Sequence, residues 1–366
     1  MKKMYVYDSW ADNIKKTWSG TGYALFQGLS IYYETKRISI NKNLLLDFYF
    51  RFARRTSFLI NGYYYIQNIL MRKHVGDKTP IFMISEVLNV NDCQYVFFDN
   101  IWKTVYLFRE LEKNDKYRFS KGSFDKVFAY KGDKQLEYHV KRQYEIMQRS
   151  KVVFVMGEWL KNYIEQSYPE LKGKVYAVGG GVNTPNTLET HLTKSSLKVL
   201  FIGRDFYRKG GDLVVQAYYR LKKRLPECEL IVAGPSERPC ELDETVTFLG
   251  DVDNDTVGRL MTECDVFCMP SRFEAYGLVF IEALLHGMPV VARNAFEMPH
   301  FIENHVTGEL IEKDDVTELE DALYRVLTNN SYKESVLSRY DQYKNKYDWS
   351  SVCANIYKII VTHENE

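Results

Sequence analysis

Chemistry in this 366-residue chain is concentrated in two stretches. The first is Phe201-Ile202-Gly203-Arg204-Asp205-Phe206-Tyr207-Arg208-Lys209-Gly210-Gly211. It reads as a strand that delivers a glycine, a run with basic residues, and a glycine pair from which a helix starts. In a parallel sheet, ligands bind outside the carboxyl ends of strands. Arg204 falls just past such an end and Lys209 just before the next helix, so both can converge on one anion. Gly203 lets backbone approach a ligand closely. A basic surface loop is the plain alternative. The loop is neither a Walker A motif nor a dinucleotide fingerprint, because the glycine spacings of both are missing.

The second stretch runs from Pro270-Ser271-Arg272-Phe273-Glu274-Ala275-Tyr276-Gly277-Leu278 through Glu282 to Gly287-Met288-Pro289. Glu274 lies in a turn after a strand, and Gly277 marks a close backbone approach. The helix that opens there points free N–H groups outward, which makes an anion site. Glu282 lies inside that helix, eight positions after Glu274, or roughly 12 Å at the helical rise of 1.5 Å per residue. Two carboxylates flanking a phosphate-binding helix end suit a nucleotide-diphosphate sugar, with hydroxyls at both ends and phosphates between. Acidic residues that merely complement the helix dipole are the alternative.

The elements that must position these residues are clearest after residue 196. Lys198–Ile202, Glu229–Ala233, Val246–Leu249, Val266–Met269 and Val290–Ala292 read as strands. Leu213–Leu225, Thr256–Glu263 and Leu278–Leu285 read as helices between them. That alternation predicts βαβ units and a parallel sheet covered on both faces. Before residue 183 the chain is strongly aromatic, as in Tyr63-Tyr64-Tyr65, and strands are hard to separate from helices. Met4–Tyr7, Tyr95–Phe98, Lys151–Met156 and Val175–Val178 read as strands. A glycine turn at Ser19-Gly20-Thr21-Gly22 opens a helix with Leu25, Leu29 and Tyr32 on one face, and another helix starts near Glu158. Polar residues from Asn183 to Ser196 have linker composition, and Ser350–Val361 predicts a last helix.

Length and composition agree with two soluble domains of ~150 residues or more each. Lys and Arg number 49 against 48 Asp and Glu, which argues against a chain-wide nucleic-acid binder. The near balance hides an asymmetry. Residues 1–190 carry 29 basic and 19 acidic side chains, and the remainder carries 20 and 29. The basic half, where Lys15, Lys16, Arg51, Arg54 and Arg55 alternate with Trp10, Trp18, Phe48, Phe50 and Phe52, fits an anionic membrane surface. A solvated basic face with core aromatics fits equally. The six cysteines form no disulfide framework. Cys264 and Cys268 read as small buried hydrophobes. His139 reads as a surface residue and His286 as structural. Asp251-Val252-Asp253-Asn254-Asp255 spells a metal-like Asp-x-Asp, but its place before a helix makes Asp253 or Asp255 a cap. No apolar run approaches the ~20 residues of a membrane span.

Gly203-Arg204…Lys209-Gly210 and Glu274-x(7)-Glu282, with Gly234, Phe248-Leu249-Gly250 and Thr307-Gly308, resemble the retaining glycosyltransferases of family 4, from about Val175 to Leu310. The resemblance implies an α/β GT-B fold, in which two Rossmann-like parallel-sheet domains face across a cleft. It places an acceptor-binding domain at 1–185, a donor-binding domain at 196–345, and at 346–366 a helix returning to the first domain. It implies that Arg204 and Lys209 hold the donor diphosphate, that Glu274 contacts the sugar and Glu282 the ribose, and that Tyr276, Gly277 and Leu278 line the phosphate site with Gly203 and Gly234. Gly20 and Gly22 would face the diphosphate from the first domain, and Asp99 would assist catalysis there. His300 stands where the family often has a Glu, and Tyr276 where Phe or Gly is usual. The implied activity moves a sugar from a nucleotide-diphosphate donor to a glycan or lipid-linked acceptor, without metal or other cofactor. An N-terminal apolar run too short for a signal peptide makes the cytoplasm the expected compartment, and the basic half fits peripheral contact at the inner face of a membrane. A catalytically inactive sugar-nucleotide-binding subunit and a GT-B nucleotide-sugar epimerase are the alternatives.

Overall fold

A computed structural model describes residues 1–8, 20–38, 57–76, 78–84, 88–113, 133–182, 197–239 and 241–365. The basic and aromatic residues between Trp10 and Ser19 and between Phe48 and Arg55, and the polar linker 183–196, lie outside the described residues. The chain divides into two units. One holds Met1–Tyr106, Phe128–Asn183 and Asp348–Glu366, and the other Leu107–Val127 and Thr184–Tyr347.

The first unit is built on six parallel strands: β1 Lys3–Asp8, β2 Glu34–Ile38, β3 Ile81–Ile84, β4 Gln94–Phe98, β5 Val152–Val155 and β6 Val175–Ala177, in the order β2-β1-β3-β4-β5-β6. Every residue of β3, β4 and β5 is buried. That is why they read as unbroken apolar runs instead of alternating ones: helices cover both faces of a parallel sheet. Gln94 is the polar exception. Its amide bonds the Val90 N–H, the Ile146 carbonyl and the Ser150 hydroxyl, so nothing buried is left unpaired there.

Helix α1 (Thr21–Leu29) starts at Gly20, buries Leu25 and Leu29, and ends before Tyr32. The first unit also holds α2 (Ser57–Val75), α4 (Asp133–Arg149) and α5 (Glu158–Ser167), while α3 (Thr104–Lys113) begins in it. The Tyr63-Tyr64-Tyr65 run is helical, inside α2. His139 corrects the surface expectation. It is 3% exposed on α4, its ring 4.8 Å from that of Trp102. The helix that carries it shows a polar face outward, and the histidine falls on the opposite side.

The second unit repeats the plan with β7 Lys198–Ile202, β8 Glu229–Ala233, β9 Val246–Gly250, β10 Val266–Met269, β11 Val290–Arg293 and β12 Gly308–Ile311, in the order β12-β11-β10-β7-β8-β9, all parallel. Helices α6 (Gly211–Arg224), α7 (Asn254–Glu263), α8 (Leu278–Leu285), α9 (Met298–Phe301) and α10 (Val316–Thr328) alternate with the strands, followed by α11 (Ser331–Ser338) and α12 (Tyr340–Lys346). Strand order reverses between β7 and β10. Their carboxyl ends therefore form a topological switch point, where ligands of open α/β sheets bind. Asp253 caps α7 by accepting from the Thr256 N–H at 2.9 Å, whereas Asp255 lies in the first turn. Cys264 and Cys268 are buried and unpaired.

The last helix, α13 (Trp349–Asn365), belongs to the first unit. A Cβ on Gly28 of α1 would lie 2.3 Å from the Cys353 sulfur, so the two helices cross closely. Tyr32 stacks on Tyr357 at 4.4 Å, and Lys2 pairs with Glu364 at 2.6 Å. The chain thus crosses back to the domain where it began.

Candidate active site

The second unit's switch point gathers most of the residues singled out by sequence. The loop after β7 carries Gly203, Arg204, Arg208 and Lys209, and the loop after β10 carries Glu274, Tyr276 and Gly277. Lys209 Nζ lies 3.2 Å from Glu274 Oε2 and 3.6 Å from the Met269 sulfur. A Cβ on Gly203 would come within 2.4 Å of Lys209 Cδ, so glycine here makes room for the lysine stem. Gly277 adopts φ +94° as the N-cap of α8, a conformation that excludes most side chains, and the Glu274 stem packs over it. Glu274 therefore sits over the positive end of α8 with a cation on its carboxylate. Burial pushes its carboxyl up, but Lys209 and Arg208 outweigh that and hold it below the usual range.

Glu282, half-buried on α8, behaves oppositely. Burial raises its carboxyl above the ordinary value, and Lys209 only partly opposes this. Arg204 stands apart from the Lys209–Glu274 pair. Its side chain is 76% exposed and donates from Nε to Asp251 Oδ1 at 3.1 Å. An exposed pair of this kind contributes about 0–1 kcal/mol and opens readily. Gly234 is locked beneath, at φ +109°, against the backbone of Gly203 and Arg204. The Tyr276 ring is buried and meets Phe301 edge-on at 5.1 Å, so only its backbone is offered to a ligand. Leu278 opens the helix half-buried, His286 bonds back to the Glu282 carbonyl at 2.7 Å, and His300 is exposed. Gly20, at φ +82°, and Gly22 begin α1 in the first unit. Asp99 lies there too, one residue past β4.

Two arginines escaped the sequence reading. Arg208 donates to Asp205 at 2.8 Å and to the Phe273 carbonyl at 2.7 Å, and it lies 3.5 Å from Glu274. Its adjacency to Lys209 was the available signal. Arg272 grips both oxygens of Asp212 at 2.7 and 2.9 Å and Asp314 at 2.8 Å. Arg293 also bonds Asp314. This buried network ties the loop after β10 to the first turn of α6 and to the segment after β12. Its partners are 60 and 42 positions away in sequence, so no local pattern announces it. Among the described residues no group of His, Cys, Asp and Glu is placed to hold a metal ion.

Residues 184–346 match the family described as Glycosyl transferases group 1. The phosphatidyl-myo-inositol mannosyltransferase of Mycolicibacterium smegmatis is 31% identical over 172 residues, 45% of each chain. The gpi3 subunit of the phosphatidylinositol N-acetylglucosaminyltransferase of Schizosaccharomyces pombe is 26% identical over 177 residues, 46% of this chain and 38% of that one. The chain thus matches less than half the length of these relatives. Likeness to solved structures extends further. A glycosyltransferase from Rickettsia africae superposes with a TM-score of 0.66 over 99% of both chains at 15% identity. WaaG, a glycosyltransferase involved in lipopolysaccharide biosynthesis, gives 0.64 over 98% and 99%, also at 15%. With its two six-stranded parallel sheets the chain has the GT-B fold, and its residues 184–346 match the group 1 glycosyl transferases.

Proposed function

We propose that this protein is a retaining, metal-independent glycosyltransferase that moves a sugar from a nucleotide-diphosphate donor to the hydroxyl of a glycan or lipid-linked acceptor. The observation that carries the reading is the Lys209–Glu274 pair seated over the N-terminus of α8 at the switch point. Departure of a nucleoside diphosphate builds negative charge on its β-phosphate. Lys209, Arg204 released from Asp251, and the first N–H groups of α8 are the groups that stabilise this charge. Glu274 accepts hydrogen bonds from sugar hydroxyls and Glu282 from the ribose. No second carboxylate is assigned to a double displacement. The sugar is therefore transferred by front-side attack through an ion-pair-like transition state, and the acceptor proton leaves with the phosphate. Asp99 is the first unit's candidate for a catalytic role.

A lipid-linked acceptor in cell-surface glycan synthesis is supported by the surplus of ten basic residues in 1–190 and by the phosphatidyl-myo-inositol and lipopolysaccharide in the names of the similar proteins. In this reading the enzyme works in the cytoplasm, at an anionic inner leaflet, with each surface cation contributing about 1 kcal/mol. None of the described helices is long and apolar enough to cross a membrane, so the contact proposed is peripheral. The deciding experiment is a screen of nucleotide sugars for slow donor hydrolysis, with and without EDTA. Release of nucleoside diphosphate that EDTA leaves unchanged is expected, and Lys209→Ala should lower turnover more than donor affinity. Hydrolysis that disappears with EDTA and returns with manganese refutes metal independence.

A further inference from the structure

Two cations share one carboxylate oxygen in this site, and their grips are unequal. Lys209 holds Glu274 Oε2 at 3.2 Å, with a methionine sulfur, a weak acceptor, as its other partner. Arg208 is fixed on three sides. Its Nε meets Asp205, which is 2% exposed, its Nη1 meets the Phe273 carbonyl, and the same Nη1 reaches Glu274 Oε2. Because Phe273 directly precedes Glu274, one guanidinium holds both the backbone and the side chain of the glutamate.

We propose that Arg208 is a positioning residue: it holds the Glu274 carboxylate in place and charge-compensated, so that Lys209 can leave it for the donor diphosphate. The inference rests on the glycosyltransferase reading. Without Arg208, withdrawing Lys209 would strand a half-buried carboxylate, which is costly. With Arg208 in place, Lys209 exchanges one anion for another. Arginine suits the fixed role, since its planar fork binds several acceptors at once, and lysine suits the mobile one.

Among the described residues the charged groups acting on Glu274 are Lys209 and Arg208 from the loop after β7, with Asp205 bound to Arg208, and Lys209 also acts on Glu282 of α8. Arg272, two residues before Glu274 in its own loop, is engaged by Asp212 and Asp314. Loss of Arg208 leaves burial opposed by one cation instead of two, so the Glu274 carboxyl must titrate at higher pH.

The test compares wild type, Arg208→Gln and Arg208→Lys. Carbon-detected NMR of the glutamate side chains, with Glu274→Gln to assign the resonance, follows the Glu274 midpoint. The expected result is a rise of about one pH unit in Arg208→Gln, largely reversed in Arg208→Lys. Donor hydrolysis should show kcat down roughly tenfold or more at little change in KM. An unmoved midpoint, or an unchanged kcat in Arg208→Gln, overturns the proposal. If wild type releases no nucleoside diphosphate from any nucleotide sugar, the glycosyltransferase reading fails, and the NMR comparison still decides whether Arg208 holds Glu274. Should Arg208→Gln not fold, Arg208→Lys against wild type carries the same comparison, with a smaller midpoint rise expected.

Discussion

Gly203→Ala should separate activity from stability. The added Cβ would lie 2.4 Å from Lys209 Cδ and 3.3 Å from both Lys209 Cβ and the Phe201 ring. Carbon atoms rest at about 3.5–4.0 Å, so the lysine stem must move by roughly 1 Å. Gly203 is not among the glycines with positive φ, and alanine meets no backbone penalty there. The obstacle is a flexible side chain, which places the stability cost near the low end of overpacking, about 1 kcal/mol. The same 1 Å displaces Nζ from its position on Glu274. A misplacement of that size in a catalytic assembly costs on the order of 100-fold, or about 2.7 kcal/mol of transition-state stabilisation. The assay pairs nucleotide release from the donor found by screening with a urea denaturation curve. The expected outcome is a turnover loss near 100-fold against a small fall in midpoint at unchanged slope. Turnover within twofold of wild type would remove Lys209 from the chemistry. A collapse of stability would show that Gly203 serves the fold.

Gly234→Ala gives the converse, because its Cβ would sit 2.7–2.9 Å from the backbone of Gly203 and Arg204 at φ +109°. About 1–2 kcal/mol of left-handed strain adds to about 1–3 of overpacking, a loss that urea denaturation will read directly. Arg272→Ala takes the cation from Asp212 and leaves Asp314 with Arg293 alone, and should cost about 3 kcal/mol, the low end for breaking a buried pair. Arg272→Lys, which lacks the fork, should restore only part of it by the same measurement. Glu282→Gln should stabilise the protein near neutral pH. A carboxyl raised in the folded state binds its proton more tightly there than in the unfolded chain, so its stabilising share is present at low pH and is lost as pH rises through the folded value. Melting curves from pH 4 to 8 should show the variant gaining over wild type as pH rises, with nucleotide affinity reduced.

Legibility from sequence differed between the halves for a physical reason. In the second unit each strand ends in a glycine or a charged loop, and helices α6, α7, α8, α10 and α11 start at a glycine, aspartate or asparagine. Punctuation therefore falls where geometry demands it, and Lys198–Ile202 and Leu278–Leu285 are found with the bounds that sequence predicts. In the first unit β2 is Glu34-Thr35-Lys36-Arg37-Ile38, an edge strand with one buried residue, so no apolar signal marks it. Helix α2 carries Tyr65, Ile66 and Ile69 exposed, which blurs its 3.6-residue period. The site shows the same division. Lys209, Glu274 and Gly277 were legible because glycines and charges stand at strand ends. Arg208 and Arg272 were not, since their partners arrive from other elements.

That division explains how the site can be both prepared and open. Residues legible at strand ends are the ones left on loops with partners that can be exchanged: Arg204 with an exposed aspartate, and Lys209 with a shared carboxylate. Residues that were illegible are those with several fixed partners drawn from distant elements, Arg208 and Arg272. A cation bound by three groups cannot serve an incoming phosphate, but it can hold still the loop and carboxylate that must wait for one. In the proposed reading, the sequence motif names the groups that move to the ligand, while the buried arginines, found only in three dimensions, set where those groups start. Substitution of a motif residue should accordingly lower turnover in a folded protein. Substitution of Arg272 should lower the denaturation midpoint first, and turnover of the molecules that remain folded far less.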